Sequence, residues 1–282
     1  MKTADLPESI LVSGASGFVG RRLIKGLAET VKVNSLHCLV PLQDDAFGEQ
    51  GITNLETLGI PTVRMDLRRK VELNQINHPN LIFHLAANTH TWERDHTVND
   101  RGTENLIRAL SPISQETHVI FTSTVAVLDN RKNLDEILRD DSTIEGVPCC
   151  EYGASKLRAE QFLISEAKRQ GFRLSIARLC TVYGPNPRPN SFFDVLEKEA
   201  RKQSLASRLN WPGLTSFIHV DDVVSCLLKL AENPPEPGKP RLSLLATETL
   251  TFQQVARLVY GRLNIPYDEV RLPEFAWKLM GN

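Results

Sequence analysis

The chain has 282 residues, of which 41% are hydrophobic and 24% charged, as in an ordinary globular protein. Lys and Arg number 33 against 34 Asp and Glu, so charge favours neither nucleic acid nor a membrane surface as a partner, and we expect a small molecule. The five cysteines contain no CxxC pair and the start lacks an apolar signal run, so we expect no metal site, no disulfide framework and a cytoplasmic protein.

The first recognisable unit is a strand, a glycine turn and a helix. Residues 9–13 form an apolar run, and residues 18–27 follow helical periodicity. The turn between them reads Gly-Ala-Ser-Gly-Phe-Val-Gly, which supplies a tight turn, space for a pyrophosphate and a helix N-terminus with free N–H groups. This pattern predicts a dinucleotide site at Gly14, Ser16, Gly17, Phe18, Val19 and Gly20.

Further apolar runs alternate with helical segments along the chain. Strands are predicted at residues 36–40, 63–67, 81–87, 119–127 and 174–179. This alternation is typical of an α/β protein, and we predict a Rossmann-type doubly wound parallel sheet with helices on both faces. The proline-rich stretch 185–190 predicts a boundary, with a dinucleotide-binding domain over 1–184 and a small, discontinuous C-terminal substrate-binding lobe over 185–282.

Tyr152 and Lys156 are the candidate acid/base pair. Residues four apart lie on the same face of a helix, and the apolar period continues past them. A phenol titrates near ~10 in water, so it needs a fixed cation to work near neutral pH, and Lys156 could lower its pKa. The alternative is a packed tyrosine beside a solvated lysine. Cys149 and Cys150, just upstream, and His84, in a strand pattern, are interpreted as structural residues.

The GxxGxxG turn together with the YxxxK spacing resembles the extended branch of the short-chain dehydrogenase/reductase superfamily, the NAD-dependent epimerase/dehydratase-like proteins. Several later motifs of the chain also match this family. The resemblance implies that Lys156 holds the nicotinamide ribose, that Thr124 is the catalytic hydroxyl and that Ser123 is its neighbour. It also implies a set of residues near the cofactor: Asp66, Leu67, Leu85, Ala86, Ala87, Asn99 and Val182.

The choice between NAD and NADP stays open. The family usually has an acidic or basic residue after the second strand, whereas this chain has Pro41. With no acid to repel a 2′-phosphate, and with Arg21 and Arg22 at the start of the first helix, we lean towards NADP.

The leading expected activity is hydride transfer between NAD(P) and a secondary alcohol, ketone or aldehyde. A sugar-nucleotide epimerase or dehydratase is the alternative enzyme, and a non-catalytic NAD(P)-binding regulatory protein is the alternative of another class. Thr181 stands where sugar-nucleotide enzymes of the family commonly have Asn, which favours a less charged substrate. The loop 88–92 is expected to face the substrate. A homodimer is left open.

Overall fold

The computed structural model of the chain describes residues 7, 9–73, 76, 78–91, 93–130 and 137–280. Its strands are β1 (Ile10–Ser13), β2 (Leu36–Val40), β3 (Thr62–Arg64), β4 (Leu81–His84), β5 (His118–Thr124), β6 (Arg173–Leu179), β7 (Thr181–Tyr183), β8 (Leu214–His219), β9 (Arg241–Leu245) and β10 (Glu248–Thr251). Its α-helices are α1 (Gly20–Ala28), α2 (Ala46–Thr57), α3 (Arg101–Leu110), α4 (Glu151–Gln170), α5 (Phe192–Arg201), α6 (Leu205–Arg208), α7 (Val220–Glu232), α8 (Phe252–Arg262) and α9 (Glu274–Met280).

The described residues fall into two compact units. The first lies within Met1–Cys180 and Val220–Leu245, and the second within Thr181–His219 and Ala246–Asn282. The sequence placed a boundary at residue 184, whereas the chain leaves the first unit after 180 and returns to it for α7 and β9. This return was not visible in the sequence because a proline-rich loop at 234–240 separates the helix from its strand.

A seven-stranded sheet in the order β3-β2-β1-β4-β5-β6-β9 forms the centre of the first unit, and all its neighbouring strands are parallel. Strands β4 and β5 are buried along their whole length, which explains their nearly continuous apolar sequence. Helices α3 and α4 cover one face, where Leu106 and Leu163 join the core. Helices α1 and α7 pack against each other, so closely that a Cβ on Gly26 would lie 3.8 Å from Val224, and α7 covers the other face. The predicted doubly wound fold is therefore confirmed.

The second unit contains a three-stranded sheet in the order β10-β8-β7. Strand β8 pairs in parallel with β7 and antiparallel with β10. Its core is small and centres on Leu196, Phe217 and Val255, with partly buried aromatic rings around them. No helix in the described part of the chain is long and apolar enough to cross a membrane.

Candidate active site

Three glycines shape the turn between β1 and α1. Gly14 has φ +72°, and a Cβ there would lie 2.7 Å from the backbone nitrogen of Ala86. A Cβ on Gly20 would lie 2.1 Å from the carbonyl oxygen of Gly14, so only glycine lets the helix start this close to the turn. A Cβ on Gly17 would have one neighbour within 4 Å, the Gly14 oxygen at 3.2 Å. The open side of this turn is therefore at Gly17.

Helix α1 begins without a side-chain cap at Val19 and without an acid in its first turn. The N–H groups of Arg21 and Arg22 already donate to the carbonyls of Gly17 and Val19, both at 3.1 Å, so the N–H groups suited to bind an anion are those just before them in the turn. The turn is otherwise firmly held. Ser16 is buried, and its carbonyl oxygen would be 2.2 Å from a Cβ on Gly51 of α2. The guanidinium of Arg22 covers the Phe18 ring at 4.6 Å. These residues fit the diphosphate of a dinucleotide.

The two arginines at the start of α1 differ in their partners. Arg22 donates to the Phe18 carbonyl and pairs with Asp221 at 3.5 Å. The guanidinium of Arg21 lies 3.8 Å from the centroid of the Phe47 ring, and its Nε and Nη2 are buried without a hydrogen-bond partner. Burial, with a smaller contribution from Arg22, lowers the pKa of Arg21. Arg21 thus retains donors that an anionic group could satisfy.

Asp66 follows β3, where the resemblance places the adenine. Its carboxylate accepts from Nε and Nη2 of Arg68 at 2.9 and 3.0 Å, and this hydrogen bonding is the main cause that lowers its pKa. Leu67 is buried, and its carbonyl accepts from Asn105 Nδ2 at 2.9 Å. Asp66 is therefore held by a neighbouring arginine, and Leu67 by the start of α3.

Residues 85–87 follow β4 at the carboxyl edge of the sheet. The N–H of Leu85 donates to the Ser13 carbonyl at 3.1 Å, and the N–H of Ala86 lies 3.4 Å from Ser13 Oγ. Ala86 also limits the space at Gly14, as described above. Ala87 is partly exposed beyond them. The small side chains of this segment keep its backbone beside the glycine turn.

A chain of buried hydrogen bonds links β1, β4 and α3. Ser13 Oγ donates to His84 Nδ1 at 2.6 Å, and His84 Nε2 donates to Thr103 Oγ1 at 2.7 Å. Thr103 in turn donates to the Asn99 carbonyl at 2.6 Å. Burial, and then the charge of Lys156, lower the pKa of His84 to about 3, so the ring is neutral. Both ring nitrogens are satisfied, which supports the structural interpretation of His84.

Among the described residues, no group of three His, Cys, Asp or Glu is placed to hold a metal.

Asn99 joins the loop after β4 to α4. Its Oδ1 accepts from the N–H of Asn88 at 2.8 Å, and its Nδ2 donates to the Asn88 carbonyl and to Ser155 Oγ, both at 3.0 Å. Because Asn99 is fully buried, these bonds fix the loop relative to the helix that carries Tyr152. Trp92, which the sequence assigned to the same loop, lies outside the described residues.

The Tyr152 phenol lies near the side chain of Thr124, the residue at the end of β5, and interacts with it. Thr124 Oγ1 also accepts from the N–H of Ala126 at 3.2 Å. Desolvation of the partly buried ring raises the pKa of Tyr152 to about 12, and the interaction with Thr124 acts in the opposite direction. The sequence led us to expect a lowered pKa. The phenol is instead neutral, because the partly buried ring is desolvated and no cation in the described part of the chain lowers its pKa.

The Lys156 side chain explains that difference. Its Nζ lies 4.3 Å from the centroid of the Phe121 ring and is buried without a hydrogen-bond partner. Burial lowers the pKa of this amine to about 7, and the charge of Glu160 raises it. A buried amine without a partner is unusual in a folded protein. The resemblance gives this amine the role of donor to a ribose hydroxyl, and in the structure its Nζ is buried from solvent.

Behind Lys156 lies a buried ion pair. Arg178 on β6 donates through Nε and Nη2 to the two carboxylate oxygens of Glu160 at 3.0 and 2.7 Å, with side-chain exposures of only 3% and 1%. Ser123 lies opposite Arg178 in the strand register. Ser123 Oγ and Arg178 Nη1 are both buried without a partner. No hydrogen bond joins Ser123 to Tyr152 in the described part of the chain. Ser123 lies instead beside the buried Arg178 of the ion pair.

Sequence reasoning did not assign Glu160, Arg178 or Thr103 to the site. Glu160 is four residues after Lys156, a spacing that places both on one helical face, so the signal was present.

Cys149 and Cys150 contact Asp129 through their thiols, and Cys150 caps α4 by accepting from the N–H of Gly153. Cys149 is exposed, and partial desolvation with the charge of Asp129 raises the pKa of its thiol, in keeping with an inert thiol.

Val182 lies in β7 of the second unit, where it pairs with Ile218. Most cations of that unit are paired with its own acids. These are Lys198, Arg201, Lys202, Arg208, Arg257 and Arg271, which contact Asp or Glu side chains at 2.7–3.8 Å. Thr181, at the start of β7, provides no charge or amide.

Curated relatives of the chain are of two kinds. Fusarin C synthetase of Gibberella moniliformis is 25% identical over 231 residues, which is 77% of this chain and 6% of that protein. The chain thus spans about 6% of the length of the first curated relatives it matches. UDP-glucose 4-epimerase of Vibrio cholerae is 24% identical over 303 aligned positions, which cover 100% of this chain and 84% of the relative.

Solved structures and a family model agree with the observed architecture. A UDP-glucuronic acid 4-epimerase from Bacillus cereus, solved with a UDP-sugar and NAD, superposes with a TM-score of 0.76 at 20% identity and covers 94% of this chain and 86% of its own. That likeness shows the fold. Residues 10–244 match the model described as the NAD dependent epimerase/dehydratase family. The chain therefore belongs to the NAD dependent epimerase/dehydratase family, whose members are enzymes of the extended short-chain dehydrogenase/reductase type, as the sequence predicted.

Proposed function

We propose that the chain transfers hydride between a nicotinamide dinucleotide and a carbon that carries a hydroxyl or carbonyl group, with Tyr152 as the acid or base. The observation that supports this most is that the Tyr152 phenol lies near the Thr124 side chain, in the same unit as an uncapped helix at a glycine turn. The dinucleotide, when bound, supplies or accepts the hydride. The protein must then position the substrate oxygen and move its proton.

Each residue has a distinct role in this proposal. Tyr152, with a pKa of about 12, is protonated at neutral pH and can donate to a carbonyl oxygen. The Thr124 hydroxyl, which lies near the phenol, would form a hydrogen bond with the same substrate oxygen and so orient it. Lys156 supplies an unpartnered buried amine that would hold a ribose hydroxyl. Asn99 keeps the loop at Asn88 in register with α4.

The cofactor is proposed to be NADP in preference to NAD. Gly17 and the start of α1 would take the diphosphate. Arg21 would meet a 2′-phosphate, because its Nε and Nη2 are buried donors without a partner and a charged acceptor would satisfy both. Asp66, which Arg68 already binds, has less freedom to contact the adenosine.

Replacing Tyr152 by Phe tests the proposal. The variant is expected to lose ~10²–10⁴ in turnover while it binds the dinucleotide nearly as before, because only a proton donor is removed. Tyr267→Phe, which removes a phenol oxygen in the second unit, is the matched control and should keep its rate. Turnover by Tyr152→Phe at the parent rate would sink the assignment, and dinucleotide binding without any turnover in the parent protein would favour a regulatory role.

A sugar-nucleotide epimerase or dehydratase is the second candidate. The comparisons support it more than the first candidate, because the matching family model is that of NAD dependent epimerases and dehydratases and the epimerase of Vibrio cholerae aligns with the whole chain. Paired cations in the second unit and Thr181 favour the first candidate, since a diphosphate left without cations is costly to desolvate. Thermal stabilisation by micromolar UDP-glucose, with no oxidation of NADPH by a panel of neutral ketones and aldehydes, would place this candidate first.

A further inference from the structure

His96 is a buried histidine that the proposed mechanism does not use. It lies in the loop between β4 and α3, and it is 1% exposed. Its ring centroid lies 5.8 Å from that of Tyr152, and the two ring planes are tilted by 50°. Aromatic rings at this separation are packed against each other. His96 is therefore a direct neighbour of the residue that is proposed to move the proton.

Both ring nitrogens of His96 face carbonyl oxygens. Nδ1 lies 3.2 Å from the Asn88 carbonyl oxygen, and Nε2 lies 3.1 Å from the Glu93 carbonyl oxygen. A carbonyl oxygen only accepts hydrogen bonds, whereas a neutral imidazole has one N–H and one bare nitrogen. The neutral ring could therefore donate to one carbonyl, while its bare nitrogen faced the lone pairs of the other. Only the doubly protonated ring donates to both.

Asn99 has no proton to spare for a bare nitrogen of this ring. Its Nδ2 lies 3.4 Å from His96 Nδ1, but it already donates to the Asn88 carbonyl and to Ser155 Oγ, both at 3.0 Å. The orientation of the amide is fixed, because its Oδ1 accepts from the N–H of Asn88. The hydroxyl of Ser155 is used as well, since it donates to the Tyr152 carbonyl at 2.8 Å. Protonation of both His96 nitrogens is thus the arrangement that leaves no conflict.

Two connections lead from His96 to Tyr152. One is the contact between the rings. The other is a series of hydrogen bonds, in which the Asn88 carbonyl binds Asn99, Asn99 binds Ser155, and Ser155 binds the Tyr152 backbone. Desolvation is the main cause of the raised pKa of Tyr152, so His96 acts on the position of the phenol and not on its charge.

The titratable and charged groups near His96 come from three elements. They are Tyr152 of α4, Glu93 and Asp95 of its own loop, and Asp100 beside α3. The three carboxylates have other partners at 2.5–2.7 Å, which are Asn88 Nδ2 for Glu93, Thr97 Oγ1 for Asp95 and Arg158 for Asp100. The two carbonyl groups are therefore the acceptors for the His96 protons.

We infer that His96 is a positioning residue, which as an imidazolium binds the carbonyls of Asn88 and Glu93 and so holds the loop and the Tyr152 ring in place. Raising the pH removes one ring proton and releases one carbonyl. The effect on turnover rests on the proposed function, whereas the doubly protonated ring and its two hydrogen bonds do not.

Nitrogen-15 NMR of the labelled protein tests the inference without substrate or dinucleotide. At about pH 5.5 the His96 ring, identified by its absence from His96→Asn, should carry a proton on both nitrogens. Asn is short enough to place an amide N–H near the position of Nδ1, and Gln places one near that of Nε2. The Asn88 N–H should therefore be protected from hydrogen exchange about fivefold to tenfold less in His96→Gln than in His96→Asn, the usual worth of one hydrogen bond.

Turnover gives a second readout. At about pH 6, kcat of His96→Gln should fall about fivefold to tenfold with dinucleotide affinity unchanged, whereas His96→Asn should stay within about twofold of the parent. Between about pH 6 and about pH 8.5, the ratio of the parent rate to the His96→Asn rate should fall by about the same factor, because the amide does not titrate. This ratio cancels the titration of Tyr152 and Lys156, which both proteins contain. The matched control is His78→Gln, at an exposed histidine before β4, and it should follow the parent.

Several outcomes would overturn the inference. A neutral His96 ring at the lower pH, equal Asn88 protection in the two variants, or a rate ratio that does not change with pH would each contradict it. Thermal unfolding of each variant reports that it is folded. If the ring and the Asn88 amide behave as described while the parent reduces no carbonyl compound, the proposed function fails and the hydrogen bonds of His96 stand.

Discussion

Replacing Glu160 by Gln should destabilise the first unit strongly. The carboxylate and Arg178 have side-chain exposures of 1% and 3% and share two hydrogen bonds, so Arg178 would keep a buried charge without a counter-ion. Removing one partner of a buried pair costs about 3–5 kcal/mol, and glutamine keeps one acceptor oxygen, so we expect about 3 kcal/mol. The assay is the free energy of unfolding in urea, followed at pH 7.5.

The matched control is Glu197→Gln, which breaks an exposed pair with Arg201 whose side chains are 51% and 61% exposed. Exposed pairs of this spacing contribute less than about 0.5 kcal/mol, so this variant should unfold almost as the parent does. Replacing Glu160 and Arg178 together by Leu should be less harmful than Glu160→Gln, because no buried charge remains. A cost for Glu160→Gln within about 1 kcal/mol of the control would refute the reasoning, because most surface substitutions already lie in that range.

Three further predictions concern the dinucleotide site and its charges. The folded pKa of Lys156 is about 7 against an ordinary value of 10.5, so between these pH values the unfolded chain holds a proton that the folded chain lacks. In this range the free energy of unfolding in urea should rise with pH, relative to that of Lys156→Met, by on the order of 1.4 kcal/mol per pH unit. Parallel pH profiles of the two proteins would contradict this prediction. Arg21→Leu should weaken NADP binding at least about tenfold and leave NAD binding within about twofold by calorimetry, because only NADP carries the 2′-phosphate; equal losses would remove Arg21 from that role. Gly20→Ala should abolish dinucleotide binding or folding, since its Cβ would be 2.1 Å from a backbone oxygen, while Gly26→Ala in the same helix, with neighbours at 3.8 Å, should bind normally in the same titration.

The parts of the fold that follow from short stretches of sequence were predictable. Gly14, Gly17 and Gly20 are each required by their immediate surroundings. Gly14 has a positive φ, Gly17 leaves open space, and Gly20 has no room for a Cβ. Apolar runs such as residues 81–84 identified the buried parallel strands. The position of β9 beside β6 was not predictable. The two strands are far apart in the chain, and no local sequence pattern shows that β9 pairs with the free edge of β6.

The chemistry of the candidate site was only partly predictable. Spacing identified Tyr152 and Lys156, but the direction of the Tyr152 pKa depends on burial and on where the lysine amine lies. That amine is placed by Phe121, and its charge is supported by Glu160, which Arg178 holds from another strand. Such contacts join distant parts of the chain, so a single sequence shows the residues without their arrangement.

The central claim is that the protein catalyses net reduction: hydride moves from the dinucleotide to a carbonyl carbon and is not returned, while Tyr152 protonates the oxygen. The most direct measurement uses NADPH deuterated at the transferable C4 position, with product analysis by mass spectrometry across the panel of neutral ketones and aldehydes. The account predicts one deuterium in the alcohol product of the parent protein and none above background with Tyr152→Phe. A nucleotide sugar converted with no net consumption of the dinucleotide, and no deuterium in any alcohol, would contradict it.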